Sequence, residues 1–357
     1  MATRQTSVHI VDPGLRNILS DLRKRILDGV LPAGTRLPAV RELAATYGVA
    51  GTTIHRCLQE LTAAGFLSTH GRNGTRVVDH PPHRSRYGLV LPELPAADGN
   101  YHQRHWQAKA VAAQTVSSGP ACQIEIFHAI NGHPELPEHQ RLLTALAECR
   151  LAGLIVVDQD RAHEWLVPAE LGIPVVGVTL VDRHPAIGNL RLELATFLRQ
   201  ALTAVTTHGS TRPAVLLNTD ALSNVRPMKA LARQLGLTLE SEQILCLPTV
   251  APGWAEHVVA SLFSRHAQGR PDALIVADEA ALPDIQAAVR QRGADGIFQI
   301  HLGNMPLTPL CQRPALRLGW DHRTYLRRAI AMIDAWHSDQ RPIGNEELEL
   351  VAQSASA

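Results

Sequence analysis

The chain has 357 residues, of which 45% are hydrophobic, 19% charged and 4% aromatic. This apolar content is too high for a disordered chain, and the length exceeds one ordinary core, so two or three domains are expected. The formal net charge of +1 excludes a polycation that coats nucleic acid without specificity. The charge is uneven, however, because residues 1–80 carry ten basic and six acidic side chains.

The sequence carries no signal for a membrane, a secretory route or a disulfide framework. No apolar run approaches the roughly 18 residues of a membrane span, and residues 1–12 lack the apolar core of a signal peptide. The five cysteines are odd in number and scattered, without a C-x-x-C pair. We therefore expect a cytosolic, cytoplasmic protein with no membrane partner and reduced cysteines.

The first predicted elements are two helices. Apolar residues recur with helical spacing from Leu15 to Leu27 and predict an amphipathic helix that ends near Gly29. After a connector rich in proline and glycine, Pro38 fits the start of a second helix. Gly48 is the expected left-handed C-cap of that second helix.

A third helix is predicted only a few residues later. Thr52 opens another periodic stretch, in which Ile54, Leu58 and Leu61 face inward. Two short helices joined by a tight, glycine-containing turn are typical of a helix-turn-helix.

The next segment changes from helical to strand periodicity. Residues 66–69 and 75–78 are short β runs around a polar, glycine-rich tip at 70–74, which predicts a hairpin wing. A phosphate-binding loop is the alternative for this tip. It would require a following helix N-terminus, and the β-branched Thr75 and Val77 argue against one.

The basic helix-turn-helix and its wing suit contact with duplex DNA. The major groove admits one helix whose outward side chains reach base edges, while a basic hairpin tip reaches phosphates or the minor groove. A solvated polar face on a small helical domain is the alternative reading. The predicted DNA-contacting residues are Arg36, Arg41, Thr52, Thr53, His55, Arg56, His70, Gly71, Arg72 and Gly74.

Residues 18–79, and above all the stretch GVLPAGTRLPAVRELA at 29–44, resemble the N-terminal winged helix of the GntR family of bacterial transcription regulators. The resemblance implies a DNA-binding regulator. It assigns the family's second-helix arginine to Arg41, the start of the recognition helix to 50–56 and the wing tip to 70–74. Alanines stand where the family usually has hydroxyl residues, and a glycine and a histidine stand where arginines are frequent, at Ala39, Ala50, Gly51 and His55.

A short segment follows the wing and predicts a domain junction. Residues 79–86 (DHPPHRSR) are polar and proline-stiffened, as in a semi-rigid spacer. His80 and His83 lack the further ligands of a stable metal site, so no metal is expected. The predicted domains are residues 1–78, this linker, and residues 87–357.

The larger part of the chain predicts two α/β lobes. Strand-like and helical runs alternate at intervals of about 25 to 35 residues, as in βαβ units. Solid apolar runs such as 153–157, 214–217 and 273–277 imply strands buried on both faces, hence parallel sheets covered by helices. The series repeats, so the fold class is multidomain: an α+β winged helix-turn-helix followed by a two-lobed α/β domain. Ligands of such folds bind at the carboxyl ends of the strands, here in a cleft between the lobes.

Residues 152–156, 172–176 and 271–278 resemble phrases of the LacI family's effector-binding domain, which is built like periplasmic sugar-binding proteins. The resemblance implies an effector-binding and dimerisation domain whose chain returns to the first lobe near residues 321–336. Departures are that Gly303-Asn304 stands where the family often has paired aspartates and that Ala277 replaces a frequent asparagine.

Six residues are predicted to bind the effector. Two aspartates follow predicted strands, and two aromatic residues could form an apolar plate for the C–H face of a sugar. The LacI resemblance adds an arginine and the acidic residue after a late strand. An aromatic residue on a helix could instead be core, and an aspartate at a strand end could only cap a helix. The six are Tyr101, Trp106, Asp158, Asp220, Arg226 and Asp278.

Catalysis finds no comparable support. The sequence has no G-x-S-x-G and no H-E-x-x-H motif, and its eighteen histidines do not cluster with acidic partners at a recognisable spacing. We expect no enzyme, no catalytic residue and no cofactor. The residues instead predict a homodimeric repressor that binds a double-stranded DNA operator under control of a small-molecule effector, most simply a sugar. The alternative is a cytosolic small-molecule binding protein whose N-terminal domain mediates protein contacts.

Overall fold

The computed structural model describes residues 13–71, 74–94, 101–157, 172–177, 187–217, 219–247, 254–264, 269–294, 296–307, 315–339 and 344–354. Elements are numbered below over these residues. Within them, no helix combines the length and the apolar character needed to cross a membrane.

The N-terminal region is a winged helix. Its five elements are α1 (Pro13–Leu27), α2 (Val40–Tyr47), α3 (Gly51–Ala63), β1 (Leu67–Thr69) and β2 (Thr75–Val77). The two strands are antiparallel, and an isolated bridge between Arg36 and Arg76 adds a third, very short strand to the hairpin. The predicted order of helix, helix-turn-helix and wing is confirmed.

The predicted apolar stripes form one small core. Leu22, Ile54 and Leu61 are each at most 1% exposed and lie in a single cluster with Phe66 of the wing. Gly48 has φ +65° and ψ 35°, the left-handed C-cap that the sequence predicts. Pro38 does not open α2 as expected, because Ala39 is the N-cap and the helix begins at Val40.

The N-cap of α2 provides a test of stability. Ala39 has extended backbone angles but no side chain that could accept a hydrogen bond, while Glu42 Oε2 accepts from Ala39 N–H at 3.1 Å. Ala39→Ser should add the missing half of a capping box and stabilise the winged helix by about 1 kcal/mol in thermal or urea unfolding. Ala45→Ser, exposed within the same helix, is the control and should give a small loss. Equal effects at both positions would contradict the capping argument.

The segment after the wing is packed against both neighbours. Residues 82–85 form the helical turn α4 (Pro82–Ser85), with Pro82 and Ser85 buried, and the first strand of the larger domain starts at Arg86. The segment expected to be a semi-rigid spacer therefore contains a compact helical turn with two buried residues. Proline fits the first turn of a helix, which is why this proline-rich stretch folds instead of extending.

The first lobe is a six-stranded sheet with all neighbours parallel. Its order is β4 (Gln123–Phe127), β3 (Arg86–Val90), β5 (Gly153–Val156), β6 (Val175–Gly177), β7 (Ile187–Arg191) and β13 (Asn345–Glu347). Two helices of this lobe are α5 (Tyr101–Val116) and α6 (Pro137–Ala147).

The second lobe is another six-stranded sheet, parallel except at one edge. Its order is β9 (Ile244–Cys246), β8 (Pro213–Leu217), β10 (Ala273–Val276), β11 (Phe298–Met305), β12 (Leu316–Asp321) and the antiparallel β14 (Val351–Ser354). Its helices are α7 (Leu194–His208), α8 (Val225–Gln234), α9 (Trp254–Phe263) and α10 (Leu282–Gln291).

The last helix, α11 (His322–Asp339), leaves β12 of the second lobe and packs on α5 and on strands of the first sheet. The chain then adds β13 to the first sheet and β14 to the second. The predicted return to the first lobe near residues 321–336 is confirmed, and so are two lobes built on parallel sheets.

Candidate functional site

The helix-turn-helix presents a polar face to solvent. The buried side of α3 consists of Ile54, Cys57, Leu58 and Leu61, so the polar positions of its first two turns lie on the other side. Among the predicted DNA-contacting side chains on α2 and α3, Thr53 is half-buried. The other four are exposed: Arg41, Thr52, His55 and Arg56.

Arg56 has a weak local partner. Its Nε lies 3.6 Å from Glu60 Oε1 one turn later, and the two side chains are 54% and 46% exposed. Exposed pairs of this kind contribute about 0 to 1 kcal/mol. The guanidinium can therefore exchange Glu60 for a phosphate at small cost.

The wing brings a second basic group to the same domain. Gly74 has φ +77°, and a Cβ built on it would lie 3.1 Å from Arg36 Nε, so the Arg36 guanidinium crosses the base of the wing tip. Arg76 Nη1 donates to Gly34 O at 3.0 Å and fixes the other side of the hairpin. His70 and Gly71 are exposed at the tip, whereas Arg72 lies outside the described residues.

A buried polar network joins the two lobes. Helix α5 of the first lobe contributes two residues, strands and turns of the second lobe contribute three, and α11 contributes one. We call these six residues the inter-lobe network: Arg104, His105, Glu279, Asn304, Arg317 and His322.

Glu279 is the anionic member of the network. Its side chain is fully buried just after β10, and Oε1 accepts from Arg317 Nη2 at 2.7 Å. Oε2 accepts from Asn304 N at 3.1 Å and Asn304 Nδ2 at 3.3 Å, and lies 3.4 Å from Arg104 Nη2. A buried carboxylate requires such partners because its desolvation is costly.

Asn304 connects the carboxylate to two histidines. Its Oδ1 lies 3.2 Å from His322 Nε2 and 3.3 Å from His105 Nδ1, and the His105 and His322 rings meet edge to face at 4.6 Å. Asn304 Nδ2 donates to Glu279, so Asn304 Oδ1 is the acceptor of the amide. His322 Nε2 and His105 Nδ1 therefore both donate to it, an assignment made from the hydrogen-bond network. His105 Nε2 then accepts from Lys109 Nζ at 2.5 Å.

Burial sets the protonation of this part of the network. Lys109 is completely buried above the Tyr325 ring, and burial lowers the pKa of its amine well below the usual value. Burial, and then the nearby Lys109 and His105, also lower the pKa of His322 well below its usual value. Both shifts favour the neutral forms of Lys109 and His322, so this part of the hydrogen-bonded network carries no net charge.

Residues 16–77 match the family of bacterial regulatory proteins named for gntR. Residues 16–77 are a GntR-type winged helix-turn-helix domain. The HTH-type transcriptional regulator Rv1152 of Mycobacterium tuberculosis is 44% identical over 69 residues, which is 18% of this chain. The match spans 57% of that relative's length.

Solved LacI-type regulators share the fold of the rest of the chain. The trehalose repressor of Escherichia coli covers 76% of this chain and all of its own, with 10% identity and a TM-score of 0.56. A LacI family regulator of Arthrobacter sp. FB24 in complex with lactose covers 77% of this chain and 99% of its own, with 14% identity and a TM-score of 0.54. Cra of Pseudomonas putida with fructose 1-phosphate covers 77% and 100%, with 15% identity and a TM-score of 0.51. We call residues 87–354 the LacI-like domain.

Of the six predicted effector residues, the structure describes the side chains of three, which are Trp106, Arg226 and Asp278. Asp278 Oδ1 accepts from Ala280 N at 2.9 Å and so caps a short helix, which is the alternative weighed for such an aspartate. Trp106 is half-buried and packs on the main core, and Arg226 is exposed on α8. Asp158, and the side chains of Tyr101 and Asp220, lie outside the described residues. All six stay predictions.

The inter-lobe network was missed at the sequence level. His105 and His322 lie 217 positions apart and meet only in the fold, so no spacing in the sequence could indicate this pair. One local signal was available, because Lys109 stands among the buried alanines 108, 112 and 113 of α5, one turn after His105. The described residues hold no group of three or more His, Cys, Asp or Glu side chains arranged to bind a metal ion.

The joint between the GntR-type and LacI-like domains is built on an aromatic stack. The centroid of the His83 ring of α4 lies 5.9 Å from that of Phe66 at an interplanar angle of 18°. The guanidinium of Arg23, from α1, lies over the Phe66 ring at 5.9 Å from its centroid. On the opposite side, Arg84 Nη1 donates to His337 O at 3.4 Å. A cavity of about 540 Å³ lies beside this stack, between the wing and the first sheet.

The joint should be sensitive to acid. Burial, followed by the charges of Arg84 and His337, lowers the pKa of His83 to about 4, against about 6.5 in the unfolded chain. Because the unfolded form binds the proton more tightly, this stabilisation is complete above pH 6.5 and is lost as the pH falls toward 4. Hydrogen exchange of the amides of residues 80 and 83–86, relative to their intrinsic rates at each pH, should therefore rise as the pH falls over that window. His83→Phe keeps the stack without a titrating group and should flatten the rise. An unchanged pH profile in this variant would assign the effect to other groups, such as His337, whose pKa burial also lowers.

Proposed function

We propose that this protein is a transcription regulator that binds a double-stranded operator through its GntR-type domain. In this proposal it is a homodimeric repressor, and a small-molecule effector, a sugar, binds in its LacI-like domain and controls DNA binding. The observation that carries the proposal is the exposed basic face of α2, α3 and the wing, on a domain joined compactly to a two-lobed ligand-binding fold.

The proposed operator contacts follow from that face. Thr52, Thr53, His55 and Arg56 are assigned to the major groove, and Arg41 to a backbone phosphate. The wing residues Arg36, His70, Gly71, Arg72 and Gly74 are assigned to the adjacent phosphates or minor groove. We also keep the domain boundaries after residues 78 and 86 as part of the proposal.

The proposed effector site is the cleft beside the inter-lobe network. Among the buried polar atoms without a hydrogen-bond partner in the described part of the chain, four belong to the network or to residues close to it in sequence: Arg317 Nε, Trp320 Nε1, His322 Nδ1 and Tyr325 Oη. Buried polar groups normally have partners, and the hydroxyls of a sugar can both donate and accept. The solved neighbours with lactose and with fructose 1-phosphate support a carbohydrate as the first class to test.

Duplex binding is the decisive test of DNA recognition. A random duplex library selected on the full chain supplies the preferred site, and fluorescence anisotropy measures its Kd between 50 and 200 mM salt. We expect log Kd to rise steeply with log salt, by about 0.9 for each phosphate contacted. Binding that is absent or independent of salt would favour the alternative, a small-molecule binding protein whose N-terminal domain contacts proteins.

The effector and the assembly need separate measurements. A thermal-shift screen with trehalose, lactose and fructose 1-phosphate should find a stabilising sugar, because a ligand of the native state raises Tm. His105→Ala, at the edge of the network, should reduce the rise in Tm that the sugar causes. No change of Tm with any sugar would rule out a carbohydrate effector.

Light scattering tests the assembly. A molar mass equal to that of one chain would rule out the homodimer.

A further inference from the structure

Helix α11 is a single element that reaches two places of functional interest. Its 18 residues span about 27 Å at the usual rise of a helix. Along this length it packs on α5 and on β5, β6 and β7 of the first lobe. Its two ends contact different parts of the molecule, which makes it a candidate link between them.

The N-terminal end of α11 belongs to the inter-lobe network. His322, its first residue, is fully buried, and its Nε2 donates to Oδ1 of Asn304, the last residue but one of β11 in the second lobe. Tyr325, one turn later, is buried under Lys109 of α5. A change in the spacing of the lobes must therefore break the His322–Asn304 bond or move this end of the helix.

The C-terminal end of α11 touches the joint with the GntR-type domain. Asp334 Oδ1 accepts from Tyr87 Oη of β3 at 2.6 Å, and His337 Nε2 lies 2.6 Å from O of Ala152, the residue before β5. His337 O accepts from Arg84 Nη1, a cation placed favourably at the carbonyl end of a helix. Arg84 lies in α4 beside His83, which stacks on the wing.

We propose that α11 transmits changes at the inter-lobe network to the GntR-type domain, with the Arg84–His337 contact as the final link. A packed helix moves as a rigid element, so displacement of His322 shifts the carbonyl that holds Arg84. The inference rests on the proposed function, since it describes how ligand-induced closure would reach the DNA-binding face. It does not require the identity of the effector.

A double-mutant cycle on the full-length protein tests this link. Asn304→Ala removes the acceptor of His322, and Arg84→Ala removes the exposed link at the joint. We expect Asn304→Ala to change the Kd for the selected duplex by about 5-fold or more, the lower end of typical allosteric coupling. In the Arg84→Ala background, Asn304→Ala should change this Kd by less than 2-fold. An identical factor in both backgrounds overturns the proposal.

Controls keep the cycle interpretable. Arg328→Ala lies on α11 and pairs only with the exposed Glu346 among the described contacts, so it should leave the Asn304→Ala factor unchanged. If Asn304→Ala does not fold, His105→Ala replaces it, because His105 donates to the same Oδ1 at the edge of the network.

A second readout separates this inference from DNA binding itself. Asn304→Ala should raise hydrogen exchange at the Arg84 amide, which donates to Pro81 O at 2.9 Å within α4, by at least about 3-fold. This measurement needs no DNA. A wild-type chain that fails to bind duplex would refute the proposed function alone, whereas unchanged exchange in α4 would refute the coupling through α11.

Discussion

Glu279→Gln should destabilise the LacI-like domain by about 3 to 5 kcal/mol, the usual cost of removing one partner from a buried ion pair. The side chain is fully buried, and its carboxylate is the partner of Arg317, whose side chain is only 5% exposed. Glutamine keeps the shape but loses the charge, so the Arg317 guanidinium is left buried without its anion. Thermal unfolding followed by calorimetry should show the loss in the transition of the larger domain.

Two further variants identify the cause. Glu346→Gln removes the carboxylate of the exposed pair with Arg328, and should cost no more than about 1 kcal/mol. Combining Glu279→Gln with Arg317→Met should recover much of the stability, because an apolar replacement of a buried pair is often nearly neutral. Equal losses for Glu279→Gln and Glu346→Gln would mean that burial of the pair is unimportant.

Arg41→Ala should weaken binding to every duplex sequence by a similar factor and lower the slope of log Kd against log salt by about 1. This is the signature of one lost phosphate contact, which carries no base preference. Arg41 is exposed on α2, so its removal leaves the core of the GntR-type domain unchanged. Anisotropy titrations at several salt concentrations, on the selected site and on a scrambled duplex, measure both quantities.

The matched control is Arg16→Ala, an equally exposed arginine on α1 away from the helix-turn-helix. It should leave the slope and the preference between the two duplexes unchanged. Any sugar that stabilises the wild-type chain should still do so in Arg41→Ala. Loss of both DNA binding and the thermal shift would make Arg41 a structural residue.

The parts of the fold that were predictable are those whose signal is local. The helix-turn-helix follows from apolar residues spaced within one or two turns, as at Ile54, Leu58 and Leu61, and from the left-handed Gly48. The two parallel sheets follow from solid apolar strands that must be covered on both faces. The start of α2 was predicted two positions too early, at Pro38 instead of Val40, because proline also suits the residue that precedes an N-cap.

The inter-lobe network was not predictable for the opposite reason. Glu279, Asn304 and His322 are polar residues at the ends of three different elements, and each resembles an ordinary cap or loop residue in sequence. Only the topology brings them to His105. The joint was missed similarly, since a stretch of proline, histidine and arginine suggests solvent exposure, whereas His83 packs on Phe66.

Gly303 places a restriction on how this domain can diverge. A Cβ at this position would collide with the Arg317 side chain, which crosses directly over the glycine to reach Glu279. An aspartate at this position, which the LacI resemblance of the sequence would lead one to expect, would therefore be incompatible with Arg317. Natural relatives with a side chain at position 303 should have exchanged the arginine at 317 and the glutamate at 279 as well, so that the three positions change together as one inherited unit.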